Sequence, residues 1–222
     1  RFAPDQRFDL SVVIEAGQGD LSKVVVALDG VALPLDASGP LGARLAKVYR
    51  QQSFPKPGWG AVSVSATDGD GVEQRAERKF EVVAIEGTSL RFKNVIFFLG
   101  DGMGAAHRTA ARIVRHGYTA GRANGLLAMD KMPAAGLVMT SSLNGQVTDS
   151  SPGMSCYMTG NKAANNQEGV FPDGADEGKG SDGTPAFDNP RVEYLGSYLN
   201  RKLGKAIGVV STADLEDATP AA

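Results

Sequence analysis

The run Lys93-Asn94-Val95-Ile96-Phe97-Phe98-Leu99-Gly100-Asp101-Gly102-Met103-Gly104 is the stretch on which the fold turns. Residues 95–99 are continuously apolar, with no polar alternation. Such a run is short for a helix and suits a strand covered on both faces, as in a parallel sheet. Asp101 follows where the strand gives way to a turn. The glycines beside it let the backbone turn tightly and let another group approach closely. Open α/β sheets place their ligands beyond the carboxyl ends of strands. Asp101 therefore reads either as a ligand-holding carboxylate or as the N-cap of the next helix, and this motif alone leaves both open.

Downstream, Ala106, Ala110, Ile113 and Val114 form an apolar stripe that predicts a helix over residues 104–115. Met154 and Met158 fall on a second helix. Leu195, Leu199 and Leu203 are spaced four apart, with Gly204 where a C-cap belongs. Residues 206–210 form another short apolar strand. Strands alternating with helices predict an α/β layered sheet over residues 89–222. The Gly- and Asp-rich stretch between Asn165 and Pro190 reads as a solvated loop. At the end, Thr219-Pro220-Ala221-Ala222 has the form of a helix start, and the expectation is a catalytic domain cut off at its C-terminus.

Upstream, residues 1–88 read as all-β. Phe8, Leu10, Val12 and Ile14 alternate with polar residues, as do Val62, Val64 and Ala66. A second apolar run covers residues 24–28, a weaker one holds Leu45 and Val48, and Arg78-Lys79-Phe80-Glu81-Val82 closes the set. Short period-2 segments broken by Gly, Pro and Asp predict a small all-β sandwich of immunoglobulin-like type, an accessory module. Asp68-Gly69-Asp70-Gly71 lacks the spaced carboxylates and distal Glu of a calcium loop and reads as a hairpin turn.

The chain has 222 residues and a formal net charge of -2, with no basic stripe, which argues against a nucleic-acid partner. No run approaches the roughly 20 apolar residues of a membrane span. The single cysteine, Cys156, excludes an internal disulfide. The chain opens Arg1-Phe2-Ala3-Pro4 without Met, consistent with removal of an export signal.

Two further segments carry oxygen donors. In Val147-Thr148-Asp149-Ser150-Ser151-Pro152-Gly153, Ser150 stands just before a predicted helix, whose start favours an alkoxide and an incoming phosphate; the same residues could equally be an ordinary helix cap. In Ser211-Thr212-Ala213-Asp214-Leu215-Glu216-Asp217-Ala218-Thr219-Pro220, carboxylate and hydroxyl oxygens suit Mg²⁺, or form a solvated acidic loop.

Taken together, the three segments resemble the alkaline phosphatase family. Residues 93–104 resemble its opening motif. Thr148-Asp149-Ser150 followed by Thr159-Gly160 resembles its nucleophile segment. Val210-Ser211-Thr212-Ala213 leading to Asp217-Ala218-Thr219-Pro220-Ala221-Ala222 resembles its third motif. The order is the family's. The resemblance covers residues 93–222, the first part of a catalytic domain, and leaves residues 1–88 outside.

It implies a phosphate monoester hydrolase in which Ser150 is phosphorylated in turnover and Asp149 supports it. Asp101, Ser150, Asp217 and Thr219 would be metal ligands, for two Zn²⁺ ions and a Mg²⁺. It also implies small phosphomonoester substrates, periplasmic or secreted location, and room for a homodimer. A phosphodiesterase or phosphonate hydrolase of the same superfamily is the nearest rival, and a non-catalytic binding protein with a degenerate hydrolase half is the rival of another class.

Departures are visible. Ser151-Pro152 stands where the family has small residues, which leaves Ser151 as an alternative nucleophile. A sulfatase motif would need Arg in place of Met154. Only His107 and His116 are available as histidine ligands. Both read as exposed helix residues, so further His and Asp ligands are expected beyond Ala222.

Overall fold

The alternating residues at the start of the chain do form strands. The computed structural model describes residues 1–15, 21–41, 44–84, 93–171 and 189–222. Among the described residues seven strands precede any helix: β1 (Phe8–Glu15), β2 (Ser22–Leu28), β3 (Val31–Ala32), β4 (Ala37–Leu41), β5 (Arg44–Gln52), β6 (Gly58–Thr67) and β7 (Glu73–Val82). They build a three-stranded sheet ordered β1-β5-β4 and a four-stranded sheet ordered β3-β2-β6-β7, all pairs antiparallel.

Turn chemistry sets the registers. Asp29 and Gly30 join β2 to β3 with φ of 48° and 81°. A two-residue loop with both φ positive is the turn whose twist matches a hairpin, and Asp-Gly is its favoured sequence. The Asp68-Gly71 region closes the β6–β7 hairpin as expected. Asp68 Oδ1 accepts from Asp70 N at 3.1 Å and from Val72 N at 2.9 Å.

Phe8 and Tyr49 from the first sheet and Val26, Val62 and Val82 from the second enter one buried cluster with Phe2, Phe54 and Val192. The Phe2 and Phe8 rings stack with centroids 4.5 Å apart, and Phe54 lies 5.5 Å from Phe8. Val192 arrives from far along the chain through an antiparallel bridge to Phe8. That bridge ties the β region to the segment before the third helix. Asp9 N donates to Arg191 O at 2.7 Å and Glu193 N to Arg7 O at 2.8 Å.

Among the described residues four α-helices follow: α1 (Ala105–His116), α2 (Ser150–Thr159), α3 (Leu195–Leu203) and α4 (Ala218–Ala221). Gly204 ends α3 with φ of 64°, the left-handed C-cap foreseen from its sequence. The chain divides into one unit of Arg1–Ser89 with Ser141–Ala222 and another of Leu90–Thr140. It is thus a mixed helix-and-strand protein.

Two expected strands are absent. Residues 95–99 and 206–210 carry no strand and are exposed, Val95 to 89% and Val210 to 101%. An apolar run becomes a strand only by pairing. Among the described residues neither run takes part in a sheet. Of the expected loop, residues 172–188 lie outside the described residues.

The smaller unit corrects a second expectation. The stripe of Ala106, Ala110, Ile113 and Val114 on α1 faces solvent, with Val114 87% exposed. The engaged face of α1 is cationic. Arg108 Nη2 donates to Asp130 Oδ1 at 2.7 Å, and Arg112 donates through Nε to Oδ2 at 2.7 Å and through Nη2 to Oδ1 at 2.5 Å. Leu127 N adds a bond to Oδ2 at 3.0 Å, closing a single 3₁₀ turn at Ala128–Lys131. No apolar side chain is buried among the described residues of this unit, so the forked ion pair is its main internal tie.

Hydrogen bonds from Arg112, then Arg108, hold the Asp130 carboxyl well below the ordinary carboxylate value of 3.8. A depressed carboxylate contributes stability above its ordinary value, and that contribution fades as acid titrates it, from about pH 5 downward. Amide protection in α1, measured by hydrogen exchange, should therefore drop between pH 6 and pH 3. Asp130→Asn should lose that protection already at pH 6 and show little further loss on acidification. Wild-type protection in the variant at pH 6 would refute this role.

Candidate functional site

Ser150 is the first residue of α2, and its surroundings are built by its neighbour. Asp149 is the N-cap, accepting from Ser151 N at 2.9 Å through Oδ1. Its other oxygen accepts from Asn166 N at 2.6 Å. One carboxylate thus satisfies a free helix-start donor and fastens the returning loop beside it. Asn166 sits at φ of 63°, a left-handed conformation that Asn tolerates better than most residues. Asn165 N donates to Asn144 Oδ1 at 2.9 Å. The structural work at this helix start falls to Asp149, and the Ser150 hydroxyl makes no hydrogen bond among the described residues.

Further along α2, Ser155 is buried and its Oγ accepts from Gly169 N at 3.0 Å. Gly169, at φ of 65°, leaves space that the Tyr194 ring fills, since a Cβ there would fall 2.4 Å from the phenol oxygen. These contacts fix Glu168 between them. Its Oε2 is buried without a hydrogen-bond partner among the described residues. Burial first, then the charges of Asp217 and Asp149, push the Glu168 carboxyl above its ordinary value. Burial, aided by Glu168, pushes the Tyr194 phenol up to about 12.

The short helix α4 packs against α2, which brings the third segment to the second. Asp217 is the N-cap of α4, is exposed, and spends no side-chain bond on capping. Thr219 lies inside α4. Ser150, Asp217 and Thr219 therefore share one unit, with Asp149 and Glu168 beside them.

Asp101 lies in the other unit. It occupies a turn closed by Met103 N to Gly100 O at 3.1 Å, with Gly102 at φ of 62°. A Cβ on Gly100 would sit 2.8 Å from the Met103 side chain. The left-handed conformation favours glycine at 102, and a side chain at 100 would have to displace Met103. The capping alternative fails for Asp101, because the N-cap of α1 is Gly104. His107 Nδ1 accepts from Gly104 N at 3.2 Å, so this histidine serves a helix start. His116 packs against Gly125 in the last turn of α1. Among the described residues no group of three His, Cys, Asp or Glu gathers in metal-holding geometry.

Glu168 and Asn166 are the site neighbours that sequence reasoning passed over. Both sit in a polar Gly-, Asn- and Asp-rich stretch with no periodicity, and only the fold brings them to α2.

A family model described as alkaline phosphatase matches residues 92–222. The chain is 37% identical over 131 residues to the tissue-nonspecific alkaline phosphatase of Gallus gallus, covering 59% of this chain and 24% of that protein. It is 35% identical over 136 residues to alkaline phosphatase H of Pseudomonas aeruginosa, covering 59% and 24%. It is 36% identical over 135 residues to a streptomycin-6-phosphate phosphatase of Streptomyces griseus, covering 59% and 26%. The chain thus spans about a quarter of the length of these relatives. No solved structure matches it significantly. With the match running through Asp101, Ser150, Asp217 and Thr219, the chain belongs to the alkaline phosphatase family.

Proposed function

We propose that this chain carries the nucleophile-bearing part of a metal-dependent phosphate monoester hydrolase, with Ser150 as the residue phosphorylated in turnover. The observation that carries the reading is Ser150 itself. It stands at a capped helix start inside the family match, and its hydroxyl is spared from structural work by Asp149. The relatives' names all describe phosphatases, one of them a phosphatase of streptomycin 6-phosphate.

The chemistry is an in-line displacement. Ser150 Oγ bonds to phosphorus as the ester oxygen leaves with a proton. Water then displaces the serine oxygen, releasing phosphate and restoring the hydroxyl. Amide groups at the start of α2 and its partial positive charge favour the phosphate. Asp149 keeps that helix start in place.

Asp149, Glu168 and Asp217 gather near the same end of α2, and their charge opposes a phosphate dianion. Cations would offset that charge. Exposed Asp217 with Thr219, beside Ser150 in one unit, and Asp101 in the other unit each carry hard oxygen donors of the kind that suits Mg²⁺ and Zn²⁺. When bound, such ions would lower the pKa of a coordinated hydroxyl and stabilise the attacking and leaving oxygens. His107 is engaged in α1, so a complete zinc site needs ligands additional to these residues.

In this reading residues 1–88 are an immunoglobulin-like β-sandwich accessory domain. Residues 89–222 are the first portion of a layered α/β catalytic domain. No described helix is long and apolar enough to cross a membrane. Export to the periplasm or medium, small phosphomonoester substrates and a homodimer complete the proposal.

The test compares p-nitrophenyl phosphate with bis(p-nitrophenyl) phosphate on the full-length protein. The monoester should be preferred by about 10²-fold or more in kcat/KM, and a chelator should abolish turnover. Preference for the diester would overturn the reading in favour of a phosphodiesterase.

A further inference from the structure

A ten-residue helix is marginal in isolation, and α2 carries Gly153 in addition, worth about 1 kcal/mol against helix. Tertiary bonds must hold it. Asp149 fixes its start and Ser155 its middle. Its last turn is held from the other end of the sequence.

Gln6 is 5% exposed. Its Nε2 donates to Thr159 O, the last carbonyl of α2, at 3.0 Å, and to Glu193 O at 2.9 Å. Its Oε1 accepts from Ala3 N at 2.9 Å. Both amide hydrogens and the amide oxygen are therefore used, and the orientation is unambiguous, because a flipped amide would face two carbonyls with an oxygen. Asn161 Nδ2 also reaches Thr159 O, at 3.0 Å. Asn161, in the turn leaving α2, is itself tied to the chain start, its Oδ1 accepting from the Arg1 amino group at 3.1 Å and its Nδ2 donating to Arg1 O at 3.0 Å; those bonds are exposed, whereas Gln6 reaches the helix's last carbonyl from a buried position.

The scaffold behind Gln6 is stiff. Phe2 and Phe8 on either side of it are buried in the aromatic core. Glu193 is gripped by Arg201 of α3 at 2.8 and 2.7 Å. Lys202 pairs with Asp5 at 2.7 Å, and Tyr198 donates its hydroxyl proton to Pro4 O at 3.0 Å.

We propose that Gln6 is a positioning residue for the reaction, and that the N-terminal β region acts through it as a fixed abutment for the nucleophile helix. This rests on Ser150 being the nucleophile. Gln6 touches neither substrate nor reacting atoms. At 1.5 Å per residue α2 is about 15 Å long, so a small tilt at Thr159 is carried along the helix to Ser150. A displacement of about 1 Å at a reacting group can cost about 10²-fold in rate.

The test uses the full-length protein and p-nitrophenyl phosphate. Gln6→Met keeps the volume and removes both donors. It should lower kcat and the rate of phosphoserine formation by about 10- to 100-fold, with KM and metal content close to wild type. Gln6→Glu faces two carbonyls with an anionic oxygen and should be worse than Gln6→Met, an order that mere packing would not produce. Tyr198→Phe, which removes one of several bonds behind Gln6 and none to α2, should lower kcat by no more than about 2-fold. If Gln6→Met does not fold, Gln6→Asn carries the test, since it keeps the amide but cannot span to Thr159 O. Wild-type kcat in whichever of these folds overturns the proposal. So does failure of both to fold while Tyr198→Phe folds, for Gln6 would then determine the fold alone. Absence of phosphoserine in the wild-type protein would instead strike at the proposed function and is seen separately.

Discussion

Replacing Ser150 by Ala in the full-length protein is expected to abolish covalent phosphate labelling and to lower kcat by about 10³-fold or more. The structure makes this substitution a clean one. The bonds that shape the start of α2 come from Asp149, which accepts from Ser151 N and Asn166 N. The Ser150 hydroxyl contributes none among the described residues, and Ala is the better helix former. Stability should therefore change by no more than about 0.5 kcal/mol, and the loss of rate is chemical. Ser151 is the built-in control. It lies one position into the helix, and its N–H is already committed to the cap. Ser151→Ala should retain labelling. Phosphate trapped on Ser151 in the Ser150→Ala protein would move the nucleophile by one residue and end the present assignment.

What the sequence revealed, and what it concealed, divides along physical lines. Local rules carried through wherever one segment decides its own structure. Gly204 closed α3, Asp68 closed the β6–β7 hairpin, and the period-2 runs became β1 and β6. Asp29-Gly30, which the sequence reading did not single out, obeys the same turn rule in joining β2 to β3. The failures concern partners. Residues 95–99 are apolar enough for a buried strand, yet a strand needs a neighbour to accept its hydrogen bonds, and composition does not say which segment provides one. On α1 the periodic stripe pointed one way, and Arg108 and Arg112, also four apart, found Asp130 on the other. A carboxylate eighteen residues from Arg112 leaves no periodic trace. The candidate site shows the same division. Asp101, Ser150, Asp217 and Thr219 were legible as motif residues. Glu168 and Gln6 were not, because their roles exist only after distant backbone segments have been brought against α2.

The largest effect on stability is expected at Phe54. This ring is 1% exposed and makes aromatic contacts with Phe2, Phe8 and Phe80 at centroid separations of 6.1, 5.5 and 6.3 Å. It lies so close over β6 that a Cβ added to Gly60 would come within 2.3 Å of it. Phe54→Ala removes the ring from a core whose strands are held by ladder bonds and cannot collapse into the gap. The expected cost is about 3–5 kcal/mol, seen as a lower midpoint in urea or thermal melts. Gly60→Ala should also destabilise, because the ring has no room to retreat among its aromatic neighbours. The decisive measurement is the double variant. With the ring gone, the methyl at position 60 enters vacated space and no longer clashes. The double variant should therefore be more stable than the sum of the single effects predicts, by about 1 kcal/mol or more. Strict additivity would show that the ring does not rest on Gly60. A cost below about 1 kcal/mol for Phe54→Ala would show that the aromatic cluster is not the centre of this core.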